Sequence, residues 1–152
     1  MICSGAGAFE SLRLEKGYRS LGTDIHTNSN PYEAGLDFTV KLKKEQDFIG
    51  KEALAKLKQE PLKQKLCCMV MEDDEGMALG KEPIYDESSK PVGYVTSTNY
   101  GYFVDKHILY GYLPSSYSKE GTKLEIDYFG KRFPVKVTNE PLLDPEMKRL
   151  KS

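Results

Sequence analysis

Residues 122–141 read TKLEIDYFGKRFPVKVTNEP. Leu124, Ile126 and Tyr128 alternate with polar neighbours, Gly130 supplies a turn, and Phe133, Val135 and Val137 alternate back. A period of two on both sides of a glycine predicts a β-hairpin with one face toward a core. Upstream, KHILYGYLP (106–114) predicts another strand, and EPIYDESSKPVGYVTST (82–98) predicts two strands joined by a turn at Ser88–Pro91. KLCCMVME (65–72) is short and β-rich, and DDEGMALGKE (73–82) reads as a loop. About six short strands with turn signals between them predict a closed or nearly closed antiparallel β-barrel.

The first 64 residues have a different character. Phe9–Leu21 predicts a helix: Leu14, Tyr18 and Leu21 recur at i, i+4, i+7, and Phe9 with Leu12 extends the apolar cover. On this reading Gly17 lies inside the helix, Gly22 ends it, and Glu15 faces Arg19 one turn on. HTNSNPYE (26–33) is turn chemistry. In GLDFTVKLKK (35–44), Leu36, Phe38, Val40 and Leu42 alternate with polar residues, the pattern of a half-buried strand. FIGKEALAKLKQE (48–60) predicts a helix with Ile49, Ala53 and Leu57 on one face, ended by Pro61. Two helices and one strand are too little to bury their own apolar faces, whereas residues 65–152 suffice for a small β domain. The expected class is α+β, divided into residues 1–64 and 65–152, with the first part read as the tail of something larger. An apolar strand face on LDFTVKL leaves self-association open as one way to cover it.

Charge narrows the function classes. The chain has 22 Lys and Arg against 23 Asp and Glu, which gives no electrostatic argument for a nucleic-acid or membrane partner. The longest apolar runs fall far short of a membrane span, so a soluble protein is expected. The opening MICSGAGAFE lacks the basic leader and apolar length of a signal peptide. Three cysteines, Cys3 and the adjacent Cys67 and Cys68, do not make a disulfide framework. On a strand the adjacent pair points to opposite faces, as two packing residues. Free thiols suit a reducing compartment such as a bacterial cytoplasm or a mitochondrial matrix.

Catalytic fingerprints are missing: there is no G-x-G-x-x-G after a strand, no P-loop, no H-E-x-x-H and no G-x-S-x-G. His26 and His107 lack the surrounding ligands of a metal site. GYVTSTNYGYF (93–103) mixes hydroxyls, an amide and tyrosines, which suits either a ligand pocket or a strand running into a loop with surface tyrosines. Arg13, between Leu12 and Leu14, is either a pre-aimed clamp for a carboxylate or heterocycle edge, or one half of a structural ion pair.

Four stretches occur in order: SLRLEKGYRSLGTDI (11–25), NPYEAGLDFTVKLKKEQDFIGKEAL (30–54), GYVTSTNYGYFVDKHILYGYLP (93–114) and EPLLDPEMKRLK (140–151). Together they resemble the carboxyl-terminal part of the aminomethyltransferase (glycine-cleavage T-protein) family. The EKGYR and EPLLDP forms resemble the folate module of dimethylglycine and sarcosine dehydrogenases. The resemblance implies the end of a folate-binding domain followed by the family's barrel. It also implies binding of tetrahydrofolate and capture of a one-carbon unit as 5,10-methylenetetrahydrofolate. By the same resemblance Arg13, the arginine of SLRLE, contacts the folate, and Phe38 matches an aromatic position near it, without the hydroxyl that many relatives carry there.

The family's catalytic aspartate and its pterin-holding glutamate lie upstream of the residues present, as does any FAD domain of the dehydrogenase-linked members. The terminal tyrosine of glycine-cleavage enzymes has no counterpart in LLDPEMKRLKS. The chain by itself is therefore expected to be inactive and to need the missing amino-terminal domains as partners. A non-catalytic regulatory or assembly subunit on the same fold is the alternative, because fold does not fix function.

Overall fold

A computed structural model of the chain describes residues 4–73 and 75–151; Cys3 and Asp74 lie outside them. Six strands, β1 (Gln64–Met71), β2 (Pro83–Tyr85), β3 (Pro91–Gly101), β4 (Lys106–Pro114), β5 (Lys123–Tyr128) and β6 (Lys131–Thr138), form a closed barrel in the order β1-β4-β3-β2-β5-β6. Every pairing is antiparallel, and β6 returns to β1. Placing β1 beside β4, across the β2–β3–β4 run, is a Greek-key connection. The expected six-stranded barrel is what forms. Its β5–β6 hairpin turns on Phe129 and Gly130, both at positive φ (51° and 81°), with Tyr128 paired to Lys131. That is the two-residue turn whose twist matches the flanking strands.

Alternation sorts the core into two layers. Met69, Ile84, Val95, Leu109, Ile126 and Val135 fill the barrel interior. Leu66, Cys68, Ile108, Tyr110 and Tyr112 face outward from β1 and β4 and pack with Leu14 in a second cluster. Cys67 lies in the first cluster and Cys68 in the second, so the adjacent cysteines do serve opposite faces. β1 and β4 are thus buried on both sides, which explains their nearly continuous apolar runs.

The amino-terminal segment departs from its pattern. Helix α1 spans Ala6–Glu15, not Phe9–Leu21. Gly17 sits at φ 73°, and the amides of Gly17 and Tyr18 bond back to the carbonyls of Leu14 and Arg13, a Schellman stop five residues before Gly22. Tyr18 and Leu21 therefore lie off the helix and are exposed, as are Phe9 and Leu12. The buried face is Ser11, Arg13, Leu14 and Glu15, mostly polar. Arg19, outside the helix, pairs with Glu140 instead of Glu15.

Residues 36–42 form no strand. Asp37–Thr39 is a short 3-10 turn, and the Phe38 ring is exposed. Alternation creates a strand only where an edge offers backbone partners, and no described strand lies alongside. Helix α2 spans Lys51–Leu57. Ile49 precedes it fully exposed and Ala53 is exposed, while Leu54 and Leu57 take the half-buried positions, so the apolar face is rotated from the expected one. The helix stops before Pro61, where a preceding helical residue would clash. A last helical turn, α3, spans Lys148–Lys151.

Candidate functional site

The densest buried polar cluster joins α1 to β3 through the turn after Gly22. Arg13 is 6% exposed and Asp24 1%. Arg13 Nη1 donates to Asp24 Oδ2 at 2.8 Å and to the Tyr18 carbonyl at 3.1 Å, and Nη2 donates to Ser97 Oγ at 2.8 Å. Asp24 Oδ2 also accepts from the Ser20 amide at 2.9 Å, while Oδ1 accepts from the Thr96 and Ser97 hydroxyls, each at 2.6 Å. The Tyr112 hydroxyl donates to the Asp24 carbonyl at 2.9 Å.

Thr96 and Ser97 are neighbours on a strand, where successive side chains normally point to opposite faces. The β3–β4 register shifts between Val95 and Ser97, leaving Thr96 as an extra residue. This bulge turns both hydroxyls onto one carboxylate oxygen. A buried ion pair is sustained only when its remaining lone pairs and protons find partners, and Asp24 has four. The remaining side of Arg13 carries Nε, 2.8 Å from Glu10 Oε2, and Nη2, 2.6 Å from the same oxygen. The arginine is therefore an ion-pair node with all three guanidinium nitrogens engaged. Three further bonds dock α1 on the β3–β4 end: Ser11 Oγ donates to the Tyr100 carbonyl at 2.7 Å, and Glu15 Oε1 accepts the amides of Phe103 and Val104 at 2.6 and 3.2 Å.

Phe38 takes no part in this cluster. GYVTSTNYGYF is β3 and the turn beyond it; Tyr94, Tyr100 and Tyr102 reach the surface, while Thr96 and Ser97 are consumed by Asp24. His26 lies near the Tyr112 ring, and His107 Nε2 is 2.9 Å from Thr98 Oγ1. Among the described residues no three His, Cys, Asp or Glu side chains gather as metal ligands. No helix there is long and apolar enough to cross a membrane. Burial pushes the thiols of Cys67 and Cys68 up to about 11 and about 12, so both stay protonated at neutral pH. A cavity of about 600 Å³ opens between Tyr32, Leu57, Leu62, Cys68, Val137 and Glu140, sharing no lining residue with the Arg13 cluster.

Asp24 and Glu10 are the site residues that the sequence reading passes over, while Thr96 and Ser97 belong to the hydroxyl-bearing stretch 93–103 that it noted. The Thr96–Ser97 hydroxyl pair is the one available signal, and it acquires meaning only through the bulge.

Residues 64–144 match the family described as the glycine cleavage T-protein C-terminal barrel domain, and residues 1–44 match the GCVT N-terminal domain. Mitochondrial dimethylglycine dehydrogenase of Mus musculus is 39% identical over 145 residues, 95% of this chain but 17% of that protein. Mitochondrial sarcosine dehydrogenase of Homo sapiens is 38% identical over 84% of this chain and 13% of its own length. The aminomethyltransferase of Symbiobacterium thermophilum is 36% identical over 93% of this chain and 37% of its own. The solved glycine cleavage system aminomethyltransferase T from Bartonella henselae superposes with a TM-score of 0.80 at 28% identity, over 90% of this chain and 38% of that one. The amino-acid patterns, the closed barrel and these matches agree: the chain belongs to the family of the glycine cleavage T-protein C-terminal barrel domain.

Proposed function

We propose that this chain is the carboxyl-terminal portion of a tetrahydrofolate-dependent aminomethyltransferase-like module, of the kind linked to dimethylglycine and sarcosine dehydrogenases, that forms 5,10-methylenetetrahydrofolate. Residues 1–64 are the end of a folate-binding domain and residues 65–152 the barrel domain. The remainder of the folate site, and FAD if the parent oxidises an amine, belong to amino-terminal domains. The chain alone does not catalyse the transfer; formation of methylenetetrahydrofolate by the isolated chain would overturn that. A bacterial cytoplasm or a mitochondrial matrix is the compartment of this proposal.

The observation that carries the reading is Arg13: a guanidinium fixed from behind by Asp24, Ser97 and the Tyr18 carbonyl, with its other edge directed at the half-exposed Glu10. That edge suits a carboxylate or a heterocycle edge of a folate. Phe38, exposed on its turn, is the proposed aromatic neighbour. The test is a calorimetric titration of 5-formyltetrahydrofolate into the chain and into Arg13→Lys, which keeps the charge facing Asp24 but loses the fork. Binding weakened about tenfold in a folded variant supports the reading. Equal affinity in both removes Arg13 from the site. One observation favours the second reading, a non-catalytic regulatory or assembly subunit: each guanidinium nitrogen of Arg13 already has a partner within the chain. A folded chain that binds no reduced folate supports that alternative.

A further inference from the structure

The two sides of Arg13 are built differently. On the inner side its partners are buried or part of the backbone, and Asp24 is itself held by Ser20, Thr96 and Ser97. Removing Asp24 would strand a buried charge, so this side is permanent. On the outer side the only partner among the described residues is Glu10, whose side chain is 39% exposed against 5% for that of Arg13. Glu10 stands three residues back on the same helix, and the tether sets how it approaches. Both Nε and Nη2 converge on a single oxygen, Oε2, instead of each taking one oxygen. A guanidinium fork meets a free carboxylate best through two parallel bonds.

We infer that Glu10 is an internal stand-in for a ligand carboxylate, displaced when a ligand carrying a free carboxylate reaches Arg13. The inference deepens the proposed function and rests on its reading of Arg13 as a ligand contact. The exchange replaces one anion by another, so Arg13 never loses its counter-charge. Glu10 gains water as it swings out, which its half-exposed position permits. The ligand gains the two-oxygen geometry that Glu10 cannot adopt. Glu10 thereby weakens binding of every carboxylate by the strength of its own contact, and it excludes neutral ligands that cannot replace its charge.

The experiment uses the whole chain with arginine side chains labelled with nitrogen-15, and follows the Arg13 Nε–H by NMR with glutarate as the probe. In the wild type this proton is protected by Glu10; in Glu10→Ala it exchanges freely, and glutarate restores protection at a concentration roughly two- to fivefold lower than it needs to shift the wild-type signal. Glutarate that leaves the Nε–H signal unchanged in both proteins, or acts at equal concentration in both, overturns the inference. A parallel titration with 5-formyltetrahydrofolate separates the two readings. Glutarate protection without folate binding keeps the exchange and refutes the folate reading.

Discussion

At the scale of the residue, Asp24 is the center of the molecule's polar chemistry. Its carboxylate accepts four hydrogen bonds at 1% exposure, from the turn, from α1 and from the β3 bulge. Asp24→Ala takes from Arg13 its buried counter-charge and leaves it the half-exposed Glu10, and is expected to cost about 3–5 kcal/mol of stability in urea unfolding. Ser97→Ala is expected to cost about 1–2 kcal/mol. Combined with Asp24→Ala, its effect should not simply add, because Ser97 bonds both Asp24 and Arg13. The two described cysteines make a second test. With thiols held near 11 and 12 by burial, Cys67 and Cys68 should resist iodoacetamide in the native chain and react only on unfolding, read by peptide mass spectrometry. Arg13 stood out in the sequence because a charge flanked by two leucines is unusual. Asp24 did not, because its side-chain partners lie eleven residues upstream and more than seventy downstream.

At the scale of the element, glycine conformation and strand partnership overrode periodicity. The i, i+4, i+7 pattern of Leu14, Tyr18 and Leu21 is genuine, yet Gly17 ends the helix before the second of them. A methyl at Gly17 would meet its nearest neighbours at 3.5 Å, an ordinary contact, so Gly17→Ala is penalised by its positive φ alone. The expected loss is about 1–2 kcal/mol, measured as a lowered unfolding midpoint. Gly35 carries a second burden: its φ is 68°, and an added Cβ would lie 2.9 Å from Arg19 Nη2. LDFTVKL shows the converse lesson. Its alternation was the strongest strand signal in the first 64 residues, but without a neighbouring edge it resolves into turns with Phe38 outside. Hydrogen exchange should find residues 36–48 among the first to exchange and β1 and β4 among the last.

At the scale of the whole molecule, the barrel does not stand alone. Leu66, Cys68, Ile108, Tyr110 and Tyr112 form an apolar outer face packed with Leu14. A truncated chain beginning at Gln64 would expose that face, and is expected to melt lower than the full chain and to bind a hydrophobic dye. Asp86 and His107 both contribute to the acid response. The Asp86 carboxyl is held down to about 2 by the Ser88 hydroxyl, the Lys90 amide and the Tyr117 hydroxyl. Its contribution is complete above the ordinary value of 3.8 and disappears as pH falls through about 2. Burial lowers the His107 value below its ordinary 6.5, opposed by the Glu82 charge. Below pH 6.5 the unfolded chain takes up a proton that the native chain resists, so stability falls there as pH falls. His107→Gln should flatten that part of a stability profile measured from pH 7 to pH 5.

The sequence alone determined the barrel, because alternation, turn glycines and the doubly apolar β1 and β4 are local signals that agree with one another. It also determined the opposite facing of Cys67 and Cys68, a consequence of strand geometry. Through ordered motifs it carried the resemblance to the T-protein family. Only the tertiary structure decided where α1 stops, what covers the barrel's outer face, and that residues 36–42 have no strand to pair with. It alone brought Asp24, Ser97 and Arg13 together, through a bulge and a turn. Each of these depends on which distant backbone or charge arrives beside a residue, and no local period encodes that.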